Sequence, residues 1–178
     1  MKTLIVCATK YGSTLEVGRW IAERLPEEAT VVRAEDMVSP EDYDLIFMGS
    51  GIYDNHRELP SLTRWIETFR EALKGKKCVV FGVCLDLHGV YYKGKIHGGW
   101  NYILPLIESL PEPPVHAGLL GGEINPKKLD ERDRKALEGF YKMIGRWQGE
   151  IPFRTKMDKE KVWQFAETAW NRARGKKV

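Results

Sequence analysis

Short runs of apolar residues alternate along the chain with segments in which apolar residues recur every three or four positions. The runs are apolar at nearly every position and are bounded by Gly, Ser, Thr or Pro, which is typical of strands covered on both faces in a parallel sheet. The pattern predicts five strands, at residues 4–8, 30–32, 43–48, 78–83 and 115–120.

The segments between and after these runs show an apolar face at helical spacing. Pro26 closes the first such segment, Gly75 follows the second, and Pro111 follows the third. The predicted helices lie around residues 17–25, 62–73, 100–110, 130–147 and 158–175.

Strands that alternate with helices predict an α/β fold with a parallel sheet and right-handed crossovers. Five strands fit the doubly wound order 2-1-3-4-5, with helices on both faces of the sheet. The sequence shows no internal repeat, low-complexity tract or linker. We therefore predict a single domain over residues 1–178, with a basic helical C-terminal segment at about 127–178.

The composition argues against three classes of protein: disordered, membrane-spanning and disulfide-rich. The chain has 178 residues, of which 43% are hydrophobic and 30% charged, and this balance excludes wholesale disorder. No apolar run approaches the length of a membrane span, and no hydrophobic signal region opens the chain. Three cysteines without a C-x-x-C pair argue against a disulfide scaffold. We expect a cytoplasmic protein.

The net charge of +3 conceals an uneven distribution. Residues 1–126 contain 13 Lys and Arg against 17 Asp and Glu, a net charge of −4. Residues 127–178 contain 15 against 8, a net charge of +7. Such a basic segment would attract anionic lipid headgroups, so peripheral contact with a membrane is one hypothesis. Ordinary solvated helix faces are the alternative, and no nucleic-acid-binding module accompanies the charge.

In a doubly wound sheet, ligands bind beyond the carboxyl ends of the strands, beside the strand at which the order reverses. The first loop at this edge contains hydroxyl groups at Thr9, Ser13 and Thr14, and Gly12 allows a tight turn before the first helix. Hydroxyls and backbone N–H groups at a helix start bind phosphate well. The loop lacks the spacing of a P-loop, and a plain capped helix is the alternative interpretation.

The run Thr9-Lys10-Tyr11-Gly12-Ser13-Thr14 resembles the flavodoxin phosphate-binding loop T-x-[TS]-G-x-T in spacing and in position between strand and helix. Tyr11 departs from the pattern, where the family has Thr or Ser. The resemblance implies a flavodoxin-like fold with FMN as the cofactor, its phosphate held in this loop without a metal.

The resemblance also implies two loops around the flavin ring. The first contains Gly49, Ser50, Gly51, Ile52 and Tyr53, with the Tyr53 ring available for stacking. The second follows the fourth strand, and its backbone would meet the pyrimidine end of the flavin. From this second loop the predicted cofactor-binding residues are Cys84, Leu85, Asp86 and Gly89.

Other chemistries are less well supported by these loops. A response regulator would need acidic residues after the first strand and an Asp after the third, where Ala8-Thr9 and Gly49-Ser50-Gly51 stand. His56, His88 and His97 lack metal-ligand spacing, so we expect no metal site. We expect Cys84 to be an inert buried thiol. No catalytic protein residue is predicted, because FMN would supply the redox chemistry.

Longer segments resemble menaquinone-dependent protoporphyrinogen oxidases within the flavodoxin-like proteins. These segments are residues 1–25, 43–53, 117–119 and 162–166, whereas Asp54-Asn55 and residues 84–99 depart from them. The resemblance implies oxidation of a porphyrinogen-like donor with a quinone as acceptor, for which Arg57, Lys93, Lys95 and His97 would form a cationic rim. The alternatives are a flavodoxin-type electron carrier between protein partners and a flavin-free binding module.

Overall fold

A computed structural model of the chain describes residues 1–53 and 57–176. Within these ranges, the chain forms nine strands and five α helices. The strands are β1 Thr3–Ala8, β2 Ala29–Arg33, β3 Leu45–Gly51, β4 Lys77–Cys84, β5 Val90–Tyr92, β6 Lys95–His97, β7 His116–Gly121, β8 Glu123–Ile124 and β9 Arg154–Thr155. The helices are α1 Ser13–Arg24, α2 Pro60–Thr68, α3 Leu104–Glu108, α4 Glu131–Met143 and α5 Lys159–Ala173. Asp54, Asn55 and His56 lie outside the described residues.

Five parallel strands form the central sheet in the order β2-β1-β3-β4-β7. The predicted doubly wound order 2-1-3-4-5 is confirmed, with β7 as the fifth strand of the sheet. Every residue of β1 and β3 is buried, because these central strands are covered on both faces. Their carboxyl ends meet at one edge of the sheet, which is where the predicted loops begin.

The two faces of the sheet have separate hydrophobic cores. Ile5, Phe47 and Phe81 point to one face, where α1 and α5 pack against them. Leu4 and Met48 point to the opposite face, which α2 and α3 cover. Successive residues of a strand face opposite sides, so a run that is apolar throughout can serve both cores.

Three predicted helices are shorter than expected. The helix predicted over residues 62–73 ends at Thr68. Residues 100–110 do not form one helix, but a 3-10 helix over Gly99–Tyr102 followed by the five-residue α3. Pro105 explains the break, because proline lacks the N–H that a continuous helix would need there. The helix predicted to reach residue 147 ends at Met143, where Gly145 adopts a φ of +67°.

Two antiparallel pairs lie outside the central sheet, and both were absent from the prediction. Strands β5 and β6 form a hairpin, and residues 87–101, which contain it, are called the arm below. Strands β8 and β9 pair Glu123 with Thr155 and Ile124 with Arg154. They close the base of a segment, residues 122–157, that lies between β7 and α5 and contains α4. This segment is called the insert.

Helix α5 belongs to the core rather than to a free basic surface. Its buried residues are Val162, Phe165, Ala166, Ala169, Trp170 and Ala173. Two ion pairs join α5 to α1. Lys159 of α5 lies 2.9 Å from Glu23 of α1, and Glu167 of α5 pairs with Arg24 of α1. Among the residues that the structure describes, no helix is both long and apolar enough to cross a membrane.

Candidate functional site

A cavity of about 380 Å³ lies at the carboxyl ends of β1, β3 and β4. It brings together residues from all three loops that the sequence singled out, although those loops are far apart along the chain. The predicted residues that line it are Tyr11, Ser13, Thr14, Gly51, Ile52, Tyr53, Cys84, Leu85 and Asp86. The remaining six, Thr9, Lys10, Gly12, Gly49, Ser50 and Gly89, lie outside this lining.

The first loop is shaped by Gly12 and Thr9. Gly12 adopts a φ of +100°, a conformation that favours glycine, and it occupies the N-cap position of α1. Its N–H donates to Thr9 Oγ1 at 2.9 Å, so the Thr9 side chain closes the turn. No side chain caps α1, and the N–H groups of its first turn have no acceptor within the helix. The loop therefore presents donors at the positive end of the helix dipole.

Thr14 has a buried hydroxyl group without a protein partner. The residue is 1% exposed, and its Oγ1 makes no hydrogen bond. A buried hydroxyl that is left unpaired costs free energy, so such groups are uncommon in folded proteins. Since Thr14 also lines the cavity at the start of α1, its hydroxyl is available to a ligand there.

The second loop crosses over to the first. The backbone N–H of Lys10 donates to Tyr53 Oη at 3.0 Å, and the rings of Tyr11 and Tyr53 meet edge to face, 5.9 Å apart. Ser50 and Gly49 serve the fold instead. Ser50 Oγ accepts from the N–H of Leu59 at 2.8 Å. A Cβ on Gly49 would lie 2.0 Å from the ring of Phe81, so glycine is needed for packing.

The third loop is organised by Asp86. Its Oδ1 accepts from the N–H of Gly89 at 2.9 Å, and Tyr102 Oη lies 3.5 Å from its Oδ2. Gly89, with a φ of +74°, thus forms the base of the arm rather than the cavity wall. Tyr102, which the sequence analysis missed, joins Asp86 in the lining. Burial raises the pKa of the Tyr102 hydroxyl, and the Asp86 charge raises it further.

Cys84 lines the cavity as a protonated thiol. Burial raises its pKa to about 12, and the nearby Asp86 charge acts in the same direction. Its Sγ donates to the backbone oxygen of Asp86 at 3.3 Å. Because the thiolate is the reactive form of cysteine, these surroundings agree with the prediction of an inert thiol.

The insert supplies the opposite wall of the cavity. Apolar side chains from β8, from the following loop and from one face of α4 complete the lining; they are Ile124, Leu129, Ala136, Leu137 and Phe140. The sequence predicted the apolar face of α4 but not what it covers. The cavity is polar beside the first loop and mainly apolar below α4, although the insert also contributes the carboxylates of Glu123 and Asp133.

Two carboxylates of the insert hold it to the first loop. Asp133 Oδ2 accepts from Lys10 Nζ at 2.7 Å and from Tyr11 Oη at 2.5 Å. Asp130 Oδ2 lies 2.7 Å from the same Lys10 nitrogen. Burial lowers the pKa of Lys10, but the hydrogen bonds to the two carboxylates outweigh it and raise the pKa overall. Lys10 is therefore a cation shared between the loop and α4.

The residues predicted as a cationic rim lie outside the cavity lining. Arg57 is paired with the buried Glu58 at 3.3 Å. Lys93, Lys95 and His97 lie on the exposed arm. Within the described residues, no three His, Cys, Asp or Glu side chains are grouped to hold a metal ion.

A family model described as the flavodoxin domain matches residues 4–148. The chain belongs to the flavodoxin domain family. This membership also supports FMN as the cofactor. No curated protein matches the sequence significantly.

Solved structures show the same fold at low sequence identity. A short-chain flavodoxin associated with a non-canonical PDU bacterial microcompartment is 16% identical with a TM-score of 0.54, over 97% of this chain and 99% of that one. A flavodoxin from the domain Archaea is 14% identical with a TM-score of 0.51, over 96% and 99%. Rubredoxin oxygen:oxidoreductase from Desulfovibrio gigas is 12% identical with a TM-score of 0.52. There the match covers 98% of this chain but only 36% of that protein.

The residues of this flavodoxin-domain chain fit a flavin mononucleotide. The uncapped start of α1 and the unpartnered Thr14 hydroxyl suit a phosphate, and the apolar end of the cavity suits a ring system. Carboxylates are the unfavourable neighbours: Asp133 lines the cavity and would repel a phosphate, and Lys10 offsets only part of this charge because it is shared with Asp130.

Proposed function

We propose that the chain binds FMN in the cavity below the insert and acts as a flavodoxin-type electron carrier. One observation supports this most directly: the three loops meet in one cavity whose polar end contains a buried, unpartnered hydroxyl at Thr14. When bound, FMN supplies one- and two-electron redox chemistry, and the protein binds and orients it.

In this proposal each loop has a separate task. Thr14 and the first-turn N–H groups of α1 bind the phosphate, while the charge of Lys10 is shared with Asp130 and Asp133. Ile52, Leu85 and the apolar face of α4 exclude water from the ring. Asp86 and Tyr102 provide polar groups at the cavity wall. The other predicted cofactor-binding residues, including Gly49, Ser50 and Gly89, remain predictions.

The test compares FMN with riboflavin, which lacks the phosphate. Thr14→Val removes one hydrogen bond to a charged acceptor, so we expect FMN affinity to fall by about 1.5–3 kcal/mol. Riboflavin affinity should stay the same, and the free energy of unfolding should not fall, because the hydroxyl has no protein partner to lose. Flavin fluorescence quenching during titration measures both affinities.

Thr30→Val on β2 is a matched control, since it makes the same substitution at an exposed position outside the cavity lining. An equal loss of FMN and riboflavin affinity in Thr14→Val would place the phosphate elsewhere. Absence of binding for both ligands in the wild-type chain would leave the flavin-free binding module as the function.

A second candidate is an oxidoreductase that takes reducing equivalents from a porphyrinogen-like donor and passes them to a quinone. The apolar side chains of Leu137 and Phe140 favour it, because an apolar cavity wall suits an organic substrate better than it suits a protein surface. Anaerobic reduction of the FMN-loaded protein by protoporphyrinogen, followed by reoxidation by a quinone analogue, would support the oxidoreductase. Reduction by a redox protein alone would support the carrier.

We also propose that residues 1–178 form a single domain. Helix α5 lies beyond the family match yet contributes six buried residues to the core. One cooperative unfolding transition, with coincident loss of helix signal and tryptophan fluorescence, is the expected result.

A further inference from the structure

The arm exposes large apolar side chains to solvent. Val90 is 62% exposed, Tyr91 74%, Ile96 59% and Trp100 49%. Tyr91 and Ile96 lie opposite each other in the β5–β6 hairpin, so they are cross-strand neighbours. A cluster of this kind on a small protein marks a surface that contacts another apolar surface.

The insert carries a second cluster of the same character. Met143 is 76% exposed, Phe153 57%, Phe140 49% and Ile144 40%. Together with the four on the arm, these are all the exposed large hydrophobic side chains among the residues that the structure describes. None lies on α1, α2, α3 or α5. The exposed large hydrophobic side chains are therefore confined to two segments rather than scattered over the surface.

Both segments flank the same cavity. Asp86 at the base of the arm and Phe140 of the insert both line it. The returning strand of the arm stays close to this base, because a Cβ on Gly98 would lie 2.0 Å from Asp86 Oδ2. A surface that contacted the arm and the insert together would therefore cover the cavity mouth.

The charged residues of the arm indicate what kind of partner surface it would contact. From Leu87 to Ile107 the chain contains no Asp or Glu, while Lys93 and Lys95 flank the tip of the hairpin and are exposed. His88 and His97 lie in the same stretch. The arm therefore combines cations with exposed aromatic and aliphatic groups and has no acidic residue of its own.

We propose that the arm and the exposed apolar side chains of the insert dock onto a lipid surface that contains anionic phospholipids. Aromatic and aliphatic side chains enter the boundary between headgroups and acyl chains, and lysines beside them attract anionic headgroups. This replaces the basic C-terminal segment as the membrane-contacting surface, because α5 buries its apolar face in the core. Docking would place the cavity mouth at the membrane boundary.

The test measures co-sedimentation of the full chain with vesicles of phosphatidylcholine alone and with vesicles that also contain phosphatidylglycerol. We expect binding to the anionic vesicles. Lys93→Gln/Lys95→Gln should lower partitioning roughly 30-fold, as two cations near the surface would. Tyr91→Ser/Ile96→Ser should lower it roughly tenfold or more through lost apolar contact. Lys159→Gln/Lys161→Gln on α5 is the matched control and should have little effect.

A second readout follows the apolar contact itself. Brominated lipid should quench tryptophan fluorescence in the wild-type chain, and Trp100→Phe should remove most of that quenching. Equal loss of binding in the α5 control and in the arm variant would overturn the proposal. So would failure of the wild-type chain to bind anionic vesicles, including the case in which the same apolar side chains instead mediate a dimer detected by size-exclusion chromatography.

Discussion

Helices α4 and α5 share a sequence pattern but differ in what surrounds them. Each begins after an Asp N-cap whose side chain accepts from a backbone N–H of the first turn: Asp130 from Asp133 at 2.8 Å and Asp158 from Lys161 at 3.2 Å. Each has an apolar face and several cations. Yet α5 buries six residues against the sheet, whereas α4 buries only Tyr141.

The difference lies in what each helix packs against. In α5, Phe165 lies beside Phe81 of β4 and stacks near the His116 ring at 4.7 Å, within one of the two cores. In α4, Phe140 is half exposed and lines the cavity. An amphipathic pattern thus predicts that a helix has a covered face, but it does not distinguish a core from a ligand site.

The sharpest test of this contrast replaces one phenylalanine in each helix. Phe165→Ala should lower the free energy of unfolding by about 3–5 kcal/mol, because it removes a buried ring and leaves a cavity. Phe140→Ala should lower it by less than about 1.5 kcal/mol, since its ring is half exposed. Urea denaturation followed by circular dichroism measures both.

Phe140→Ala should instead weaken binding of both FMN and riboflavin, because the ring would contact the flavin rather than the phosphate. A loss of stability as large as that of Phe165→Ala would show that α4 is a core helix after all. In that case the contrast between the two helices would fail.

A smaller effect, on FMN affinity, is expected at Asp133, the α4 carboxylate that contacts the first loop. Asp133→Asn removes a negative charge near the proposed phosphate position and leaves Lys10 paired with Asp130 alone, so FMN affinity should rise by roughly 1 kcal/mol. The asparagine oxygen can still accept a hydrogen bond from Tyr11 Oη, which keeps α4 in place. Isothermal titration with FMN and riboflavin checks this, and only FMN affinity should change.

Asp158→Asn at the start of α5 is the control for that substitution. It also exchanges a carboxylate for an amide, but far from the cavity lining, so neither affinity should change. If Asp133→Asn lowered the affinity for FMN and for riboflavin equally, the role of the carboxylate would be to hold α4 over the cavity and not to set the charge beside the phosphate.

The smallest expected effect is at the exposed ion pair between Glu138 and Lys142 of α4. Exposed pairs four residues apart on a helix contribute little, so Glu138→Gln should change the free energy of unfolding by less than about 0.5 kcal/mol. Thermal unfolding measures it. A larger loss would mean that α4 depends on its own surface charges, unlike α5, which depends on packing.

The sheet could be predicted because its strands have a direct sequence signature. β1 and β4 are buried on both faces and must therefore be apolar at almost every position. The arm was missed because its strands are only three residues long and exposed. The turn between them did carry a signal: Lys93 and Gly94, both with positive φ, match the two-residue turn of a hairpin.

The site was predictable only where it is local in sequence. The phosphate-binding loop lies within six consecutive residues, so its hydroxyls and Gly12 could be recognised together. The contact between Lys10 and Asp133 joins residues 123 positions apart, and no periodicity relates them. The covering position of α4 depends on how the insert folds back, which the spacing of its apolar residues does not determine.

The stem of the insert has a consequence for how this fold can vary. Strands β8 and β9 hold the two ends of the segment side by side, and the N–H of Lys156 donates to the oxygen of Gly122 at 2.9 Å. A segment that enters and leaves through neighbouring positions can change in length with only a small loop-closure cost. We therefore expect that the insert, which forms one wall of the cavity, can be exchanged for a different segment without altering the strand order of the sheet beneath it.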